Sequence, residues 1–200
     1  MTRILLIRHG HTELLGKVLY GRMPDVHLSE QGRSEIQRLA AALLRRYRVD
    51  EVLSSPLERA RETAEVIAVP YGHKVRIDDD LLEVDFGAWM GTSFAELMDN
   101  EAWKRYNRYR SLNAPPGGEF MSEVQLRSWN ALQRAIERHR HDADPTIAVV
   151  SHGDVVRGLL LSFLGMPIDN IHRLEISTAS VSEVVIGNAY PQVVTVNQTF

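Results

Sequence analysis

Two apolar runs set the frame of the chain. Ile4-Leu5-Leu6-Ile7 leads into Arg8-His9-Gly10, and Ile147-Ala148-Val149-Val150-Ser151 leads into His152-Gly153. Neither run alternates apolar with polar residues as a half-solvated strand does, and helical spacing follows each. The pattern predicts strands buried on both faces of a mainly parallel sheet. A strand over 3–7 is followed by a loop over 11–27. Ser29 then caps a helix running to Arg46, with Ile36, Leu39, Ala40, Leu43 and Leu44 on one face. Residues 50–54 read as a second strand. Pro56 suits the first turn of a helix reaching about Val69, with Ala60, Thr63, Ala64 and Ile67 inward.

A short strand over 74–77 and a solvated Asp78-Asp79-Asp80 turn come next. The segment 84–121 is irregular, holding Trp89, Trp103 and the breaker Pro115-Pro116-Gly117-Gly118. It reads as an excursion over the sheet end. A helix over 122–140 turns Val124, Leu132 and Ile136 inward, a strand covers 146–151, and a helix from Asp154 to Leu164 ends at Gly165 and Pro167. Strands over 173–177, 180–186 and 192–197 close the chain, the last two turning at Gly187-Asn188. Strand and helix alternate through most of the sequence, which predicts a three-layer α/β/α sandwich with a mostly parallel central sheet. At 200 residues and 44% hydrophobic content, one domain over 1–200 is the simplest count.

Composition narrows the partners. A formal net charge of −3 makes no electrostatic case for nucleic acid or a membrane surface. Lys17, Lys74 and Lys104 are the only lysines, and most arginines fall on polar helix faces, Arg105, Arg108 and Arg110 among them. With no cysteine, disulfides and thiolate chemistry are absent. The four apolar residues before Arg8 fall far short of a signal or spanning segment, so a cytoplasmic protein is expected. Oligomeric state stays open, a homodimer included.

Open α/β sheets bind ligands at the carboxyl ends of their strands, where Arg8, His9 and His152 would meet. His152 also opens a helix, whose free N–H groups favour an anion. Asp154 is read as a cap for that helix. Gly10 is read as admitting a ligand close to the backbone. Glu83 and Asp85 both offer a carboxyl as general acid, and spacing alone does not choose between them. His9-x-His11, with His152 and Asp154, is a metal-binding alternative that Arg8 and Arg59 oppose.

Four separated motifs carry a resemblance: Arg8-His9-Gly10, Ser55-Pro56-Leu57-Glu58-Arg59-Ala60, the stretch from Leu82-Glu83 to Met90-Gly91, and His152-Gly153. Together they resemble the histidine phosphatase superfamily, in its phosphoglycerate mutase-like branch. The resemblance implies that fold, His9 as nucleophile, Arg8 and Arg59 as phosphoryl clamps, His152 as a further donor and Glu83 as proton donor. Gly10, Thr12, Tyr20, Gly21 and Gly153 are the expected phosphate or substrate contacts, with no metal and no cofactor. The implied activity is hydrolysis of a small phosphomonoester through a phosphohistidine. A phosphoglycerate mutase and a non-catalytic phosphate-binding module are the alternatives. Departures bear on the substrate. His11 replaces the common Glu, Leu14-Leu15 the common Trp-Asn, Gly118-Glu119-Phe120 stands in the Gly-Gly-Glu-Ser pattern, and Val84 replaces the arginine of mutases. Leu14, Leu15, Leu19, Met23, Trp89 and Trp103 are read either as a substrate wall or as packing of a lid.

Overall fold

The computed structural model describes residues 1–187 and 189–200. β1 (Thr2–Arg8) pairs in parallel with a later strand, Thr146–Ser151, at the centre of a six-stranded sheet. β2 (Glu51–Ser54), β3 (Arg76–Ile77), β4 (Thr146–Ser151), β5 (Val181–Ile186) and β6 (Pro191–Gln198) complete it in the order β3-β2-β4-β1-β5-β6. The first four strands of that order are parallel, and β5 and β6 form an antiparallel edge.

Burial on both faces explains the unbroken apolar runs. Leu5, Ile7, Ala148 and Val150 point into a core with α1 (Glu30–Arg46) and α2 (Glu58–Ala68). Ile4, Leu6, Ile147 and Val149 point into the opposite core, which also takes residues from the 84–121 excursion. Two short helices lie in that excursion, α3 (Phe94–Met98) and α4 (Glu101–Arg108). α5 (Met121–Arg138) and α6 (Gly153–Leu164) cover the rest of the face. None of the described helices is long and apolar enough to cross a membrane.

Ser29 caps α1 by accepting the Gly32 amide at 3.1 Å, as its residue type predicts. Leu44, expected inward, is 49% exposed at the rim of the helix face. Pro56 precedes α2 and lies outside it, with Leu57 at the N-cap. The aspartate run is a 3₁₀ turn, capped by Asp78 and held by Arg134 bonds to Asp78 and Asp80, so it is more than a solvated loop. The expected strand over 173–177 does not form. A 3₁₀ helix occupies Ile168–Arg173, and the carbonyls of Leu174 and Ile176 instead accept from Arg157 and Arg8. The β5–β6 pair is present, while half of its expected Gly187-Asn188 turn, Asn188, lies outside the described residues.

α5 begins on an incomplete cap. Phe120 holds the extended N-cap conformation and its amide donates to Glu123, but its side chain accepts nothing, and it is 43% exposed. Phe120→Ser should supply the missing acceptor and stabilise the protein by about 1 kcal/mol. A thermal melt should show Tm rising by about 2–4 °C; a fall in Tm would mean that the phenyl ring matters more than the cap.

Candidate active site

Strand register builds the site. Arg8, the last residue of β1, pairs with Ser151, the last of β4, so the next residues, His9 and His152, leave the sheet side by side. Their rings lie 5.2 Å apart at 62°. Ser55 follows β2, and Arg59 sits in the first turn of α2, directed to the same sheet edge. Arg8, His9, Tyr20, Gly21, Glu83 and Gly153 line one cleft of about 330 Å³.

The Gly10 carbonyl, which can only accept, assigns the His9 tautomer. Nδ1 of His9 lies 2.7 Å from the Gly10 carbonyl, so it carries the proton and leaves Nε2 as a lone pair. Arg59 Nε donates to that Nε2 at 3.3 Å. The Ser55 hydroxyl accepts from the Leu57 amide at 3.4 Å and meets His152 Nε2 at 2.8 Å. With Ser55 donating to Nε2, the His152 proton resides on Nδ1, which is the tautomer that offers a further donor beside His9. Burial, then the charges of Arg59 and Arg8, hold the His9 pKa well below 6.5. Burial and Arg59 do the same for His152.

Three buried nitrogens, Arg8 Nε, Arg59 Nη1 and His152 Nδ1, have no partner among the described residues. Arg59 is fully buried, with Nη2 donating to the Gly21 carbonyl at 2.6 Å and its guanidinium 4.8 Å from the Tyr20 ring centre. Burying so many donors without acceptors is costly unless an anion completes them.

Glu83 lines the cleft, whereas the Asp85 carboxylate turns back to cap the Gly87 amide at 2.9 Å. The geometry thus distinguishes two carboxyls that spacing left equal. Burial and the neighbouring Asp154 charge raise the Glu83 pKa above 4.5. The two shifts act together. At ordinary values of 6.5 and 4.5, a neutral histidine and a protonated glutamic acid coexist in only about one molecule in a hundred near about pH 5.5. Lowering the first and raising the second enlarges that fraction.

Several expected roles change. A Cβ on Gly10 would lie 2.9 Å from the Gly32 carbonyl oxygen and from Ile36 Cγ1, so Gly10 is required for packing on α1 and not for phosphate approach. Thr12 is fully buried, and its hydroxyl, like Arg59 Nη1 and His152 Nδ1, has no partner among the described residues. Asp154 does not cap α6. Its carboxylate is held between Arg110 (2.5 Å) and Arg157 (3.0 Å), and it stays ionised because those charges outweigh its burial. Arg110 lies on no helix face; it is 3% exposed and lines the cleft. Leu19, Trp89 and Trp103 belong to the core, and Leu15, Leu19 and Trp103 also form a cleft wall with Val18, Phe86 and Phe94. The metal alternative does not assemble. His11 Nδ1 bonds Ser29 Oγ at 2.7 Å, Asp154 is held by arginines, and among the described residues no three His, Asp or Glu side chains group to hold an ion.

The profile of the histidine phosphatase superfamily (branch 1) matches residues 4–199. The chain belongs to that superfamily. A bifunctional protein of Mycobacterium tuberculosis is 38% identical over 183 residues, which are 90% of this chain and 49% of the relative. The chain thus spans about half the length of that protein. Phosphoserine phosphatase 1 of Hydrogenobacter thermophilus is 30% identical, covering 91% of this chain and 85% of the relative. Among solved structures, mycobacterial glucosyl-3-phosphoglycerate phosphatase in complex with VO3 superposes with a TM-score of 0.89 at 27% identity, covering 98% of this histidine phosphatase chain and 99% of the other.

Proposed function

We propose that residues 1–200 act as one catalytic domain that hydrolyses a small phosphomonoester through a phosphohistidine on His9, without a metal ion. The observation that carries this reading is the lone pair at His9 Nε2 beside three buried nitrogens, Arg8 Nε, Arg59 Nη1 and His152 Nδ1, that have no partner among the described residues. The Nε2 lone pair attacks phosphorus and the bond to the alcohol oxygen breaks. Glu83 gives that oxygen its proton, while Nδ1–H stays on the Gly10 carbonyl. Water then attacks phosphorus, Glu83 takes its proton, and the P–N bond breaks to release phosphate. Each donor on the equatorial oxygens stabilises the transition state by roughly 3 to 4 kcal/mol.

Hydrolysis is favoured over mutase action by what lies beyond the phosphate. A mutase must retain its dephosphorylated intermediate, which needs binding energy directed at a carboxylate. Here Val84 is buried in the core, Arg110 and Arg157 are both bound to Asp154, and the cleft's other lining beyond the phosphate end is the apolar wall with Asn107 and His172. The names of the relatives, phosphatases of phosphoserine and of glucosyl-3-phosphoglycerate, support a small phosphorylated metabolite as substrate. The test compares hydrolysis of a phosphomonoester panel with turnover of 3-phosphoglycerate primed by bisphosphoglycerate. Hydrolysis should exceed mutase turnover; the reverse order would show that Arg110 or Arg157 leaves Asp154 to hold the substrate.

A further inference from the structure

Behind Glu83 lies a polar hub that the proposed reaction does not use. Arg127 of α5 donates from all three nitrogens: Nε to Glu119 Oε1 (2.7 Å), Nη1 to the carbonyls of Asp80 and Leu82 (2.7 Å each), and Nη2 to the Glu83 carbonyl (3.1 Å) and Glu119 Oε2 (3.0 Å). Arg22 meets the same atoms, Nε to the Glu83 carbonyl (2.8 Å) and Nη2 to Glu119 Oε2 (2.9 Å). Glu119 Oε2 also accepts the Asp85 amide at 3.3 Å. The backbone on both sides of Glu83 is therefore tied to one carboxylate and two guanidinium groups.

The Glu83 carboxyl itself has little to orient it. Among the described residues it accepts one hydrogen bond, from the adjacent Val84 amide at 3.0 Å. Its position over the cleft is inherited from the backbone that the hub holds. The hub also reaches the phosphate side, because Gly21, next to Arg22, accepts from the Arg59 guanidinium that touches His9 Nε2. Gly118 brings Glu119 into place. A Cβ there would lie 2.3 Å from the Asp85 carbonyl oxygen, and the Glu119 amide donates to that oxygen at 3.0 Å. Stability is a poor explanation for such a cluster, since partly buried ion pairs of this kind contribute little over well-packed apolar residues.

We propose that Glu119 and Arg127, joined by Arg22, are positioning residues that set the Glu83 carboxyl at the leaving oxygen of a phosphoryl group seated on His9. The proposal rests on Glu83 as proton donor. A misplacement of about 1 Å in such a group costs about 100-fold in rate. The cost should fall only on substrates whose leaving oxygen needs a proton.

The test uses Glu119→Gln, which keeps shape but turns an acceptor into a donor facing arginine, together with Arg127→Ala, with Glu83→Gln as reference. kcat/KM is read for an alkyl phosphate and for p-nitrophenyl phosphate, whose leaving group departs unprotonated. In both hub variants the alkyl phosphate should lose about 10- to 100-fold, while p-nitrophenyl phosphate loses less than about threefold. Glu83→Gln should show the same contrast, enlarged. Equal losses on both substrates, or no loss on the alkyl phosphate, in a folded Glu119→Gln protein would overturn the positioning role. If Glu83→Gln itself shows no contrast, the assignment of the proton donor fails instead. Should Arg127→Ala not fold, Glu119→Gln alone decides.

Discussion

His9→Ala should abolish turnover, a loss on the order of 10⁶-fold, the scale seen when a covalent nucleophile is removed. The expectation follows from how completely the ring is prepared. Nδ1 is tied to the Gly10 carbonyl, Nε2 holds its lone pair, and burial with two arginines keeps the ring neutral well below pH 6.5. No cysteine is present to take over as nucleophile. Wild-type protein mixed rapidly with labelled phosphomonoester should carry acid-labile, base-stable label, as a phosphoramidate does, and His9→Ala should carry none. Near-native circular dichroism of the variant would separate lost chemistry from lost fold. Label persisting without His9 would end the phosphohistidine mechanism.

The parts of this molecule that were legible in the sequence are those whose cause is local. The runs at 4–7 and 147–150 announce strands because both of their faces are covered, and Ser29 announces a helix start because its hydroxyl is a residue-level device. The strands in turn deliver Arg8, His9 and His152 to one edge, so their convergence was readable before any geometry. Leu174 and Ile176 imitate a strand, yet β5 already occupies the free edge of β1, and their carbonyls serve arginines instead.

What stayed hidden is set by contacts distant in sequence. Arg110 and Asp154 are 44 residues apart, and neither has a local feature that marks the other as its partner. Arg127 lies mid-helix among polar neighbours, where a solvated face is the ordinary reading; its acceptors are 8 to 47 residues away. Gly10 shows the same limit in another form. The sequence marks a place where no side chain fits, but only the fold reveals that the obstacle is α1 and not the phosphate. Similarly, Glu83 and Asp85 separate only when the backbone turns at the Gly87 amide.

Glu83→Gln should divide the reaction into its two halves. With p-nitrophenyl phosphate the leaving group needs no proton, so His9 should still be phosphorylated and one equivalent of nitrophenolate released rapidly. The second half then stalls, because water must lose a proton as it attacks and glutamine cannot accept one. A burst followed by a steady rate about 10²- to 10⁴-fold below wild type is expected, with phosphoenzyme accumulating. The pH dependence carries the sign of the pKa shift. Protonated Glu83 is required for an alkyl leaving group, and its pKa is raised, so the phosphorylation rate with an alkyl phosphate should fall as pH rises through a value above 4.5. The same step with p-nitrophenyl phosphate should lack that limb. In Glu83→Gln the alkaline limb should vanish for the alkyl phosphate, leaving the two substrates alike. A limb that survives the substitution would place the titrating proton on another group, and a burst that never appears would mean that Glu83 is needed to seat the phosphate and not only to move the proton.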